Sequence, residues 1–237
     1  MAAVKANTRK SISSHNVELD GKMGGGLPMG TLALVEGSSS AGKSVLCQQI
    51  MWGAVQDGFR VRCLTSENTV KSLVSQMASI DLDVLDYVLL GKMRIYPMAL
   101  SSLGSRAPQA LLNVIDSFTD YDILVIDSFT AALSNIDGSS SAPILSFFER
   151  CKQITADGRT IILTLHNQVV DPELVSTLRS LCDAHLVLRS EQDGQRIVKL
   201  LEVAKVRGAA SVTGAIVGFD VEPGWGMRII PISKARG

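Results

Sequence analysis

Gly37-Ser38-Ser39-Ser40-Ala41-Gly42-Lys43-Ser44 decides the fold of this chain. The octapeptide is a complete phosphate-binding P-loop, and its chemistry calls for a nucleoside triphosphate and Mg²⁺. Backbone N–H groups between Gly37 and Gly42 curl around a polyphosphate, and the Lys43 ammonium neutralises its terminal phosphates. The Ser44 hydroxyl ligates the metal. Val45 then opens a helix whose positive N-terminus faces the same anion. The candidate nucleotide site is therefore Gly37, Ser38, Ser39, Ser40, Ala41, Gly42, Lys43, Ser44 and Val45. Its surroundings agree. Thr31-Leu32-Ala33-Leu34-Val35-Glu36 reads as a buried strand. Val45, Leu46, Gln49, Ile50, Trp52, Gly53 and Ala54 are spaced as on a helix, with Asp57-Gly58 as its stop. No base-reading motif accompanies the loop, so these residues alone leave ATP and GTP both open.

The chain has 237 residues, the length of one α/β domain. Hydrophobic residues make up 46% and aromatics only 5%. A core of Val, Leu, Ile and Ala suits parallel strands covered by helices on both faces. The 23 basic and 23 acidic residues cancel, which leaves no basic excess for binding a phosphate backbone. The four cysteines (Cys47, Cys63, Cys151, Cys182) lack metal-site spacing and read as reduced core thiols of a cytoplasmic protein. No apolar run approaches the ~20 residues needed to cross a bilayer. Residues 1–10 are polar and basic, unlike a secretory signal. The expected organisation is a loose arm over residues 1–13 followed by one nucleotide-binding domain over 14–237.

Along the chain, strands are expected at 60–65, 93–96, 121–127 and 160–165, with helices at 70–80, 108–118, 144–156 and 173–182 between and after them. Gly138-Ser139-Ser140-Ser141-Ala142-Pro143 reads as a small-residue loop. Near residue 184 the alternation gives way to strands at 184–189, 196–204, 213–219 and 227–232. Asp193-Gly194 and Glu222-Pro223-Gly224 mark turns between them. The expected architecture is a mostly parallel sheet flanked by helices and extended by C-terminal antiparallel strands.

A P-loop protein usually needs a second acid at the end of a neighbouring buried strand to hold Mg²⁺, directly or through water. Asp127 follows Ile123-Leu124-Val125-Ile126 and fits; the competing reading is an acid that caps the next turn. Glu67 also lies just beyond a strand. It reads either as the base that activates water or as an acid placed near the start of a helix that Thr69 caps. His166 ends its strand and reads as a γ-phosphate sensor or as a hydrogen-bonded turn histidine. Lys205 and Arg207 share one side of a strand end. They stand as a solvated strand edge or as fingers reaching phosphate in a neighbouring subunit.

His15-Asn16-Val17-Glu18-Leu19-Asp20, then Met23-Gly24-Gly25-Gly26-Leu27-Pro28-Met29-Gly30-Thr31, then the P-loop, resembles the opening of KaiC-like ATPases of the RecA superfamily. Glu67 in Thr65-Ser66-Glu67-Asn68-Thr69, Asp127 after its aliphatic strand, and Leu201-Glu202-Val203-Ala204-Lys205-Val206-Arg207-Gly208 follow in the family order. The resemblance covers roughly residues 14–233. Within that superfamily a single-domain chain of this kind is most similar to the branch serving the archaeal flagellum, the archaellum. The resemblance implies a RecA-like fold that binds ATP and Mg²⁺ and forms a homo-oligomeric ring, expected to be a hexamer. It implies a cytoplasmic place, peripheral to the membrane through partners. Those partners are the archaellum motor ATPase, a polytopic platform membrane protein and a ring-forming scaffold protein. Two departures bear on activity. KaiC proper carries two adjacent glutamates where this chain has Glu67-Asn68, and a family histidine beyond the Lys-x-Arg-Gly motif is replaced by Ser211. Both point to nucleotide binding with slow hydrolysis or none.

Two other functions belong to the same superfamily. A clock-type signalling ATPase or autokinase calls for a tandem second domain, for which this chain lacks the length. A DNA-recombination ATPase calls for basic channel-facing loops. Residues 134–142 carry no cation, and residues 167–173 carry two acids and no base, so DNA is not an expected partner.

Overall fold

The computed structural model describes residues 11–133, 142–193, 196–211 and 213–230. In chain order the elements are β1 (Ser11–Ile12), α1 (Val17–Lys22), β2 (Leu27–Pro28), β3 (Leu32–Gly37), α2 (Lys43–Gln56), β4 (Val61–Thr65), α3 (Val70–Ser79), α4 (Leu85–Leu89) and β5 (Met93–Pro97). A 3-10 segment (Leu100–Arg106) leads into α5 (Ala107–Ser117). Then come β6 (Ile123–Asp127), α6 (Thr130–Leu133), α7 (Ala142–Ala156), β7 (Thr160–His166), α8 (Pro172–Leu181), β8 (Ala184–Asp193), β9 (Arg196–Val206), β10 (Ile216–Glu222) and β11 (Gly226–Ile230).

Nine strands form one sheet in the order β11-β10-β9-β8-β3-β7-β6-β4-β5. From β8 to β5 all neighbours run parallel, and β9, β10 and β11 add on as antiparallel hairpins. The continuous aliphatic runs explain the middle of the sheet. Every residue of β3, β4 and β6 is buried, as are the first six of β7, which places these strands under helices on both faces. One face packs Val35, Val125, Leu186 and Phe219 against Leu46, Ile50 and Ala54 of α2. The other packs Leu34, Ile126 and Leu163 against Phe147 and Phe148 of α7 and Leu178 of α8. Ten of the fourteen α2 residues are buried, so the helix behind the P-loop is wedged in place.

The parallel-to-antiparallel switch falls at residue 184 as the hairpin turns predict, though β10 begins at Ile216 rather than at 213. Gly194 and residues 231–232 lie outside the described residues. The loose arm needs correction at its end. Ser11–Ile12 pairs with Leu27–Pro28, and Ile12 is fully buried, because an apolar residue followed by two serines can dock and cap Asp20. Residues 1–10 lie outside the described residues, as do 138–141 of the small-residue loop. Ala142 and Pro143, assigned to that loop by sequence, open α7 instead; proline's fixed φ suits a first helical turn. All four cysteines are buried free thiols, and burial pushes the Cys182 thiol up to about 12. Among the described residues no helix is long and apolar enough to cross a membrane.

Candidate nucleotide site

The carboxyl ends of β3, β7, β6 and β4 lie side by side, and each supplies one of the expected site residues. Register fixes this: Gly37 is opposite His166, and Asp127 is opposite Thr65. Chain ends on one edge of a parallel sheet open onto a crevice where ligands bind. Here a cavity of about 400 Å³ has Ser39, Ser66, Glu67, Ser128, Thr130 and His166 among its lining residues.

Gly42 precedes α2 with φ +99°, and a Cβ there would lie 2.8 Å from the Phe219 ring. Glycine is therefore needed for backbone conformation and for close packing at once. Beyond it Lys43 is buried. Its ammonium donates to the carbonyls of Gly37 (3.1 Å) and Ser38 (2.6 Å) and lies 3.3 Å from His166 Nδ1. Burial holds this ammonium below its ordinary pKa although the charges of Asp127 and Glu67 oppose the shift. A cation held this way gains from a polyphosphate that replaces carbonyls with charge.

Asp127 is buried, and its Oδ1 accepts a 2.6 Å hydrogen bond from Thr164 on β7. That bond orients the carboxylate, a second-tier contact the sequence reading did not anticipate. Mg²⁺ takes hard oxygen ligands, usually one or two from the protein with phosphates and waters completing the shell. The hydroxyl of Ser44 in the first turn of α2 and the Asp127 carboxylate are such donors, so the residues present fit that ion.

His166 bridges the two halves of the site. Its Nδ1 faces Lys43, and its Nε2 lies 3.5 Å from Glu67 Oε1. Thr130 Oγ1 accepts from the His166 backbone N–H at 2.8 Å and fixes where the ring starts. Glu67 lines the cavity, outside α3. The helix start is served by Thr69 and Ser72, which form a reciprocal cap. Asn68, where KaiC proper has its second glutamate, is turned away. Its Oδ1 accepts from Gln76 (2.8 Å) and Ser72 (3.2 Å).

The other two expected residues lie elsewhere. β10 covers β9 only through Glu202, with Val203 N still bonded to Ala215 O. Lys205 and Arg207 therefore sit at an end of β9 that is paired on the β8 side, and both the strand-edge and the finger reading fit them. Lys205 is opposite His185, and Arg207 N donates to Asp183 O, below the level where Ala184 meets Ala33. Gly37 lies four residues further up β3, about 13 Å away along a strand. Lys205 Nζ donates to Arg179 O (2.8 Å), and Arg207 pairs with Asp183 (3.5 Å). Neither reaches its own P-loop.

The three-glycine segment meets the loop that follows Arg207. Ala210 N donates to Gly24 O at 2.9 Å. Gly24 has φ +79°, and an added Cβ would lie 2.7 Å from Ala209 Cβ and 2.8 Å from Ser211 O. Two motifs almost 190 residues apart are thus one contact. Gly24→Ala is expected to destabilise the fold by about 2 kcal/mol, from left-handed strain and collision together. Urea unfolding checks this, with Gly58→Ala as a control of equal backbone strain but open space around the Cβ.

A family model described as ATPase: KaiC matches residues 14–234. A protein of Sulfolobus acidocaldarius named archaeal flagellar ATP-binding protein FlaH is 32% identical over 231 residues, spanning 95% of this chain and 99% of that one. The chain belongs to the KaiC-like ATPase family, in its FlaH branch. A second FlaH, from Methanocaldococcus jannaschii, is 26% identical and covers 90% of this chain and 91% of its own length. The crystal structure of the flagellar accessory protein FlaH from the same organism superposes with a TM-score of 0.82 at 23% identity, covering 94% of this chain and 99% of that one. The RecA-like fold expected from the P-loop and its flanking motifs is the one the family has.

Proposed function

We propose that this chain is an ATP-binding component of the archaellum motor whose nucleotide state controls assembly into a ring. The observation that supports it most is the split between two cationic groups at opposite ends of the sheet. Lys43 serves the chain's own nucleotide. Lys205 and Arg207 lie too far from that site and point their function outward, to the phosphates held by a neighbouring copy. A ring expected to be hexameric lets every subunit make both contacts, and ligand then favours the assembled state by differential affinity. By likeness to the FlaH proteins, the ring engages the archaellum motor ATPase, a platform membrane protein and a scaffold ring from the cytoplasmic side.

Within one subunit, Lys43 and the P-loop amides hold the phosphates, and Ser44 and Asp127 hold Mg²⁺, Asp127 directly or through water. The metal would supply charge neutralisation at the β- and γ-phosphates. His166 senses the γ-phosphate because it already shares Lys43. Glu67 is the residue placed to accept a proton from water, but it stands alone: Asn68 is committed to α3, and His166 Nε2 faces the same carboxylate. Hydrolysis is therefore slow. Phosphate release is expected at least 100-fold below the roughly 10 s⁻¹ of a median enzyme. Glu67→Gln should abolish that residual release while ATP–Mg²⁺ still binds. Rapid multiple turnover, or turnover unchanged in Glu67→Gln, would contradict this reading.

A further inference from the structure

The helix α8 joins the two ends of the molecule that the proposed function keeps apart. Its leading connection brings His166, Gln168 and Val169 to the nucleotide cavity, and Asp171 caps its first turn. Its last turn carries the Arg179 carbonyl that holds Lys205, and two residues beyond it Asp183 holds Arg207. Val175 and Leu178 of this helix are buried and Leu174 and Leu181 are partly buried beside them, while most of its other residues are exposed.

One contact fixes where such a helix would pivot. The Arg179 guanidinium donates to both oxygens of Glu36, at 2.9 and 2.6 Å. Glu36 is the residue immediately before Gly37, and its side chain is 1% exposed. His185 Nε2 lies 3.4 Å from the same carboxylate without an aligned hydrogen bond. The start of the P-loop and the end of α8 are thus joined by a two-pronged ion pair, which holds geometry as well as charge.

We infer that Glu36 and Arg179 are positioning residues through which α8 carries occupancy of the nucleotide cavity to Lys205 and Arg207. The inference deepens the proposed function and rests on its reading of those two cations. Phosphate arriving at Lys43 takes the ammonium from the Gly37 and Ser38 carbonyls and from His166. Both ends of α8 then feel the change: the leading end through the chain after His166, the trailing end through Glu36 beside Gly37. Lys205 follows because it is bonded to the Arg179 carbonyl itself. An ion pair that only filled a gap in the fold would leave the Lys205 end indifferent to nucleotide.

Hydrogen exchange at a dilution where light scattering shows monomer separates these cases. In the wild type, ATP–Mg²⁺ should slow exchange at least threefold both at residues 38–46 and at residues 203–208. In the double variant Glu36→Met/Arg179→Met, which strands neither partner of the pair, the first response should persist and the second vanish. Lys205→Met, which leaves the pair intact, should also lose the second response. A response at 203–208 that survives in both variants, or that is missing from the wild type while residues 38–46 respond, overturns the inference and leaves nucleotide binding standing. No response at 38–46 takes down the proposed function together with it.

Discussion

Lys43→Ala is expected to weaken ATP–Mg²⁺ binding by at least 100-fold and to leave the fold intact. Truncating one partner of a buried, hydrogen-bonded charge pair costs about 2–5 kcal/mol, which is roughly 30- to 5000-fold in affinity. Lys43 belongs in the upper part of that range because its ammonium is buried and bonded to the Gly37 and Ser38 carbonyls of the P-loop. The unliganded protein should not suffer. Burial already depresses this ammonium, so the fold bears a cost for keeping it charged. Thermal unfolding should therefore give an unliganded midpoint for Lys43→Ala equal to or above that of the wild type. The midpoint rise caused by ATP–Mg²⁺ should disappear. Equal rises in both proteins would mean that phosphate is held somewhere other than residues 37–45.

Arg179→Met has the next largest expected effect, this time on stability and on its pH dependence. Removing the arginine strands the Glu36 carboxylate in a site where it is 1% exposed. Breaking a fully buried pair costs about 3–5 kcal/mol. The Arg179 side chain is 43% exposed, so screening reduces this to about 2–3 kcal/mol, or a midpoint lower by about 5–10 °C. The pH dependence should weaken. Burial pushes the Glu36 carboxyl up, and its partners His185 and Arg179 more than reverse the push, leaving it below the usual 4.5. A depressed acid contributes stability that is present above about pH 4.5 and lost as pH falls through the folded value. In Arg179→Met the two short bonds are gone while His185, 3.4 Å away, still offsets burial, so the carboxyl sits higher than in the wild type and contributes less stability above about pH 4.5. Urea unfolding from pH 4 to 7 should show the gap between wild type and variant widening as pH rises. A constant gap would mean that Glu36 is not ionised in the folded wild type.

Most of the site's parts were legible because they sit where a sequence pattern ends. Asp127, Glu67 and His166 each follow an aliphatic run, and parallel register then carries them to one edge of the sheet. The parallel core and the switch to hairpins were legible for the same reason: β3, β4, β6 and β7 are buried along almost their whole length. What sequence left undecided was the direction of side chains. Glu67 lies two residues before the Thr69 cap, as the helix-start reading has it, and also lines the cavity, as the base reading has it. Lys205 lies beyond Glu202, where the pairing of β9 with β10 ends, so the strand order leaves both of its readings in place. Thr164 and the Glu36–Arg179 pair were not found at all. Thr164 lies in the middle of an aliphatic strand, and Glu36 and Arg179 are 143 residues apart with no local pattern to connect them. The short helices α1 and α4 were missed as well, since five or six residues carry too little periodicity to register.

The most direct test is mass in solution by light scattering, with and without ATP–Mg²⁺, for the wild type, Lys43→Ala and Arg207→Ala. A nucleotide-dependent ring in the wild type that is lost in both variants is the expected result. Lys43→Ala should fail because it does not bind. Arg207→Ala should bind nucleotide normally and still fail to assemble, because Arg207 acts on a neighbour. A ring that forms equally without nucleotide, or that survives Arg207→Ala, would contradict the reading of Arg207 as a contact between subunits.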